Sequence, residues 1–403
     1  MSGLQRYRSL LGAPHVAVMT ASALLARLPL GIIGLALVLF VREETGSYAS
    51  AGAVAAAFAL GNAGSSPYAG RLVDRRGPVR VLLLMSVVHA VAIAGIVPLG
   101  YGGAPVVVLL AVAAVAGCAL PPISSVMRTM WPSLLKRREE LLTTAFALDA
   151  VIVELVFVTG PATVALLTAL LAPAAALILS AVVALGGTLV FATRAPTRAR
   201  AAVPQTAGGG YFRALRSPGL LTLVLGLLPL GVTLGATEVV LPAFSEEQGD
   251  RALAGVLLTV WSLGSAAGGI AYGAGNWTLP LADRFLRFAL VLPLTLLPLA
   301  LAPSVAVMLV LLLPAGAVVA PTLAAGNQLV GDVTPPGQQT EAYTWPLTAL
   351  VLGVAVGNAA AGIVIELANW RVALLVAALA GLISGGVLVL RRATLRPLEV
   401  AAA

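Results

Sequence analysis

The chain has little of what soluble proteins and most enzymes depend on. Only 10% of its 403 residues are charged, against about a quarter in a soluble globular domain. Its lone cysteine, Cys118, lies inside an apolar run. That excludes an intrachain disulfide and reads as a small apolar core residue. His15 and His89 are its two histidines, and the sequence has neither HExxH nor GxxxxGK[ST]. An intramembrane metalloenzyme or a nucleotide-driven pump therefore lacks its machinery, and no cofactor is implied. No loop is long enough for the soluble output domain that a membrane sensor would carry. The net charge of +8 could suggest nucleic acid. That reading needs a basic face on a folded domain, and here the basic residues sit in short loops between apolar runs.

What the chain has is apolar sequence, 60% hydrophobic with a mean hydropathy of +1.01. The runs are about 20 residues long, enough to cross a hydrocarbon core of about 30 Å. The reading is an all-α membrane protein with twelve spans, near 13–41, 48–69, 79–99, 104–128, 143–170, 174–192, 219–243, 253–275, 285–302, 304–330, 343–366 and 370–390. Helices are required because a lipid-exposed backbone must satisfy its own hydrogen bonds. The first run is too long for a cleaved signal peptide and reads as a retained span.

Arginine then assigns the sides. One set of loops carries nearly all the basic residues, including Arg71, Arg75, Arg76, Arg80, Lys136, Arg194, Arg198, Arg200, Arg284 and Arg392. The other set carries only Arg42, Arg251 and Arg371. This asymmetry puts both termini in the cytoplasm. The composition, rich in Ala, Gly and Arg with Lys136 the single lysine, suggests a bacterial inner membrane. The most polar stretch, 194–217, contains Gly208-Gly209-Gly210 and reads as a cytoplasmic linker between bundles 1–193 and 218–403.

The two bundles repeat one another. Leu28-Pro29-Leu30-Gly31 recurs 200 residues later as Leu228-Pro229-Leu230-Gly231. Gly52, Phe58, Gly61 and Gly70 are echoed by Gly255, Trp261, Gly264 and Gly273. Gly117 and Pro122 match Gly316 and Pro321, and Phe146 and Gly160 match Tyr343 and Gly357. Four pairs in order at nearly one offset predict two six-helix pseudo-repeat bundles, the plan of alternating-access transporters. The glycines would let helices approach closely.

Between spans 2 and 3 the chain reads Gly70-Arg71-Leu72-Val73-Asp74-Arg75-Arg76-Gly77-Pro78-Val79-Arg80. With the spans and the repeat, this resembles the signature loop of the major facilitator superfamily. Gly70, Asp74, Arg75 and Gly77 keep the family spacing, while Arg80 arrives one step late and the equivalent loop of the second half has decayed. The resemblance implies a gating latch in which Asp74 meets the N-terminal end of span 11. Gly160-Pro161 in span 5 resembles the core of the family's antiporter motif and implies export. A general helix kink is the plainer reading.

Charges inside spans are expensive and usually functional. Arg27, Asp149, Glu154 and Glu238 stand out as proton-coupling or cavity residues. Asp149 and Glu154 are five residues apart, about 140° around a helix, so they do not share a face. Glu154, nearer the midplane, is the preferred carboxylate. Arg27 would face a central cavity and pair intermittently with Glu154 or Asp149; a fixed structural pair is the alternative. Glu238 would bind a cationic substrate or lie at the outer mouth. By the resemblance, Ser124, Ser125, Asn327 and Gln328 are possible lining groups. His89 reads as a packing residue, and Tyr343 and Trp345 as interfacial anchors. The function implied is a secondary transporter using a proton gradient, most readily an exporter of a small organic molecule, with import or uniport as the alternative. Its partners would be protons, its substrate and the bilayer. One chain carries both bundles and would suffice as a monomer.

Overall fold

The computed structural model describes residues 3–199, 213–249, 253–335 and 337–397, and among them there is no strand. Arg200, Arg251 and the Gly208-Gly209-Gly210 part of the linker lie outside the described residues. The first helices are α1 (Gly3–Leu11), α2 (Val16–Arg27), α3 (Pro29–Thr45), α4 (Tyr48–Arg76), α5 (Pro78–Tyr101) and α6 (Val106–Cys118). They are followed by α7 (Ile123–Leu134), α8 (Leu142–Leu170), α9 (Pro173–Thr193) and the short α10 (Ala195–Ala199). Then come α11 (Pro218–Glu247), α12 (Leu253–Ala274), α13 (Leu281–Leu296) and α14 (Val305–Ala317). The last are α15 (Val319–Asp332), α16 (Gln339–Leu367) and α17 (Trp370–Leu390).

Among the described residues, 11 helical segments are long and apolar enough to cross a membrane. The chain is thus a multi-pass membrane protein. The remaining predicted span is α4, whose 29 residues make it long enough. Its apolar content is diluted by glycine, serine and Asn62, so it falls short on hydropathy alone. With α4 the count reaches twelve.

Proline sets the interruptions. Pro29 has no N–H to donate, so the first span divides into α2 and α3. Leu28 between them keeps helical angles (φ −50, ψ −36), so a hydrogen bond is lost without a turn. Pro121-Pro122 divides α6 from α7 more fully, since Pro122 leaves the helical angles (φ −78, ψ 54), while α11 runs unbroken through Pro229 and Pro242.

The helices pack into two units, and α8 contributes to both. One unit joins Leu11–Lys136 to Leu155–Gly208. Its core is built on Ile32, Ile33, Phe40, Ile93, Leu109 and Leu177. The other joins Met1–Leu10, Arg137–Glu154 and Gly209–Ala403.

Within each unit the sequence repeat returns as a repeated contact. A methyl group at Gly61 of α4 would fall on Ala114 O of α6, and one at Gly117 would fall on Phe58 O. In the other unit, Gly264 of α12 meets Leu313 O of α14, and Gly316 meets Trp261 O. These are the same four positions, one half-chain apart. Such backbone-to-backbone approach is what small residues permit in membrane helices. The expectation does not hold for every matched glycine. Gly52 and Gly255 would meet nothing within 4 Å.

Two readings of single residues are corrected. Cys118 is exposed, not part of the core. It ends α6 just before the double proline, and in a bilayer an apolar side chain needs no protein cover. Tyr343 is only 2% exposed, so it is a buried residue and not an interfacial anchor. His89 is a packing residue as read: it is fully buried, with Nδ1 2.8 Å from Ala116 O of α6.

Candidate functional site

α8 carries the predicted acidic pair. Glu154 lies twelve residues into it, about 18 Å along the axis at 1.5 Å per residue. Ser265 of α12, itself buried, donates its hydroxyl to Glu154 Oε1 at 2.9 Å. Glu238 of α11 is exposed, yet its charge interacts with that of Glu154. Two carboxylates from different helices thus share one neighbourhood. Trp261 precedes Ser265 by one turn and lies on the same face of α12. It is buried, and its indole N–H has no partner among the described residues.

Asp149 is 1% exposed and Arg27 2% exposed. Neither is left without a partner. Arg27 closes α2, two residues before Pro29.

The signature loop has a local physical cause. Gly77 adopts φ 80 and ψ 156, a backbone that side-chain-bearing residues rarely take. Its N–H closes α4 on Val73 O at 2.9 Å, and Pro78 then opens α5. Asp74 is buried and partnered, Gly70 is buried, and Arg75 and Arg80 are exposed. Gly160 packs directly on the backbone of Gly31, joining α8 to α3. Pro161 follows on the exposed face without breaking α8.

Ser124 and Ser125 are buried in α7. Gln328 sits elsewhere from Glu154: its Oε1 accepts from Thr143 Oγ1 at 3.3 Å, at the start of α8. Asn327, its neighbour in α15, is half-buried.

Sequence reading missed other buried polar residues. Arg128 of α7 and Glu341 of α16 are 5% and 1% exposed. Both stand at the edges of apolar runs, which was the available signal. Arg284 was read as a loop residue but is buried in the first turn of α13.

The fold and repeat point to a transport protein, and comparison with known proteins agrees. The profile of the Major Facilitator Superfamily matches residues 19–297 and 277–402. The chain belongs to that superfamily. It is similar to the MFS-type transporter y4rN of Sinorhizobium fredii, at 30% identity over 272 residues, 66% of this chain and 66% of that protein. Solved superfamily structures share its fold. One is a bacterial homologue of the iron transporter ferroportin in an outward-facing state (TM-score 0.75, 17% identity, 94% of this chain and 99% of that one). Another is the fucose:proton symporter of E. coli (TM-score 0.69, 16% identity, 93% and 98%). The human organic anion transporter MFSD10 is a third (TM-score 0.67, 18% identity, 92% and 98%).

Proposed function

We propose that this superfamily member is a proton-coupled secondary transporter that exports a small organic molecule by alternating access. The observation that carries the reading is the Ser265–Glu154 hydrogen bond inside spanning helices, with Glu238 within electrostatic reach. A carboxylate deep in a span can hold or release a proton as its surroundings change from wet to dry. Glu154 takes the proton. Ser265 holds a donor out to its charged form, so proton loss leaves the anion partnered. Glu238 adds a second negative charge, which favours a cationic substrate competing with the proton. Arg27, held near the middle of its span, would exchange partners with Glu154 or Asp149 during the cycle.

The two six-helix bundles, 1–193 and 218–403, are the rocking bodies in this reading, joined by the 194–217 linker. Asp74, Arg75, Gly77 and Arg80 form the latch, and Gly160-Pro161 favours export over import. Ser124, Ser125, Asn327 and Gln328 remain candidates for lining the substrate path. The chain works as a monomer in a bacterial inner membrane with both termini in the cytoplasm. The fucose:proton symporter among the structural neighbours keeps proton coupling in view while running in the opposite sense, so direction must be measured. A proteoliposome screen with an imposed pH gradient does so. It reads proton flux against a panel of amino acids, sugars and lipophilic cations. Proton entry driven by an internal neutral sugar, with none driven by any cation, would contradict the cationic preference. Absence of flux for every compound would contradict coupling.

A further inference from the structure

Between the start of α8 and the α12–α13 connection lies a cavity of about 260 Å³, whose walls include Arg6, Glu139, Glu140, Trp277, Thr278 and Arg284. It is apart from Glu154, since Thr143 at its edge precedes Glu154 by eleven residues of α8, about 16 Å.

Arg284 is the unusual member. It is 8% exposed, and a guanidinium stays charged at any physiological pH. Its Nη1 reaches Tyr272 Oη at 3.2 Å and Thr143 Oγ1 at 3.5 Å. Its guanidinium carbon stands 5.7 Å from the ring centres of both Tyr272 and Trp277. Neutral hydroxyls and rings do not balance a buried charge. Among the described residues no carboxylate forms an ion pair with it, and Asp332 acts on it only from further away. Its Nε is buried with no acceptor.

Arg6 repeats the pattern from α1. Its terminal nitrogens donate to Asn276 Oδ1 and to Glu140 O, and its Nε is also buried with no acceptor. Two guanidinium groups therefore line one small cavity, and the hydrogen-bond partners of both are neutral acceptors. Two positive charges met only by neutral groups call for a counter-charge, and an oxyanion in the cavity supplies it. Glu139 and Glu140 are exposed, so they form the mouth. They disfavour a bare anion and favour one that also carries an amine.

The geometry points to a binding site for a small zwitterion, an oxyanion received by Arg284 and Arg6 and an amine received by Glu139 and Glu140. The volume suits a compact metabolite or a single lipid headgroup, and phosphoethanolamine chemistry satisfies both halves.

The test uses the full chain purified in detergent, titrated with O-phosphoethanolamine while tryptophan fluorescence is read. A saturable change that vanishes in Trp277→Phe is expected. Inorganic phosphate binds more weakly, ethanolamine does not bind, and Arg284→Gln weakens the titration by about tenfold or more, as for loss of a charge-assisted bond. Should Arg284→Gln fail to fold, Arg6→Gln, on the less buried residue, must show the same direction. Nanodiscs separate the sources. A soluble titration blocked by phosphatidylethanolamine but not by phosphatidylcholine assigns the site to lipid. One that persists in both assigns it to a soluble zwitterion. The proposal is overturned if no oxyanion gives a saturable change, if ethanolamine alone binds as well, or if Arg6→Gln leaves the titration unchanged.

Discussion

Ser265 of α12 donates its hydroxyl to Glu154 of α8 across 2.9 Å, linking two helices far apart in sequence at a charged group within the bilayer. A hydrogen bond to a charged partner contributes about 1.5–3 kcal/mol. Ser265→Ala removes it while leaving the carboxylate in place. Transport driven by a pH gradient should fall by about tenfold, the equivalent of about 1.4 kcal/mol, with the protein still folded by circular dichroism. Unchanged driven transport would show that the bond plays no part in coupling.

The repeated glycine contacts predict an asymmetry among residues of the same type. Gly268→Ala places a methyl on the Ala317 backbone, and overpacking of this kind costs about 1–3 kcal/mol. Gly255→Ala, in the same helix, meets nothing within 4 Å and should be neutral or stabilising by about 0.5–1 kcal/mol. Thermal unfolding in detergent checks both. Equal effects would mean that the close approach of α12 and α14 is not what these glycines serve.

Much of this was legible beforehand. The Gly61–Gly117 and Gly264–Gly316 positions were matched from sequence, and the structure gives them the same contacts in each half. Glu154 was preferred on depth; it accepts a hydrogen bond from Ser265, and its place in coupling is left to the Ser265→Ala and Glu154→Gln variants. What was not legible has a common cause. Sequence shows how apolar a run is but not which way each residue turns. Cys118 was assigned to the core because it lies in an apolar run, yet lipid can cover it as well as protein can. Arg284 was assigned to a loop because it lies at a run's edge, yet the first turn of α13 carries it inward. α4 was harder to recognise by hydropathy because the small residues that let it pack closely also dilute its apolar character.

The N-terminal helix gives a pH prediction outside the spans. Tyr7 Oη lies 3.1 Å from Ile270 O, and burial pushes its pKa from 10.0 up to about 12. A raised pKa in the folded state means that the protonated phenol is the favoured form there. The contribution is therefore complete below pH 10, weakens above it, and is gone once pH passes about 12. Tyrosinate absorbance of the wild type minus Tyr7→Phe should show one late-titrating phenol. A difference curve centred at the ordinary value would place Tyr7 in solvent.

Gly77 offers a test of the signature loop that does not depend on the latch. Its φ of 80 with ψ 156 is an extended conformation essentially confined to glycine, and a side chain there costs about 1–3 kcal/mol. Gly77→Ala should lower thermal stability by that amount, while Gly95→Ala, which meets nothing within 4 Å, should not. Equal melting of the two variants would contradict the backbone reading.

Coupling at Glu154 is tested most directly in proteoliposomes with Glu154→Gln, once the screen has supplied a substrate. The variant should lose accumulation driven by a pH gradient while still exchanging labelled for unlabelled substrate when no gradient is present. Gradient-driven transport at the wild-type rate in that variant would contradict the assignment of Glu154 as the proton carrier.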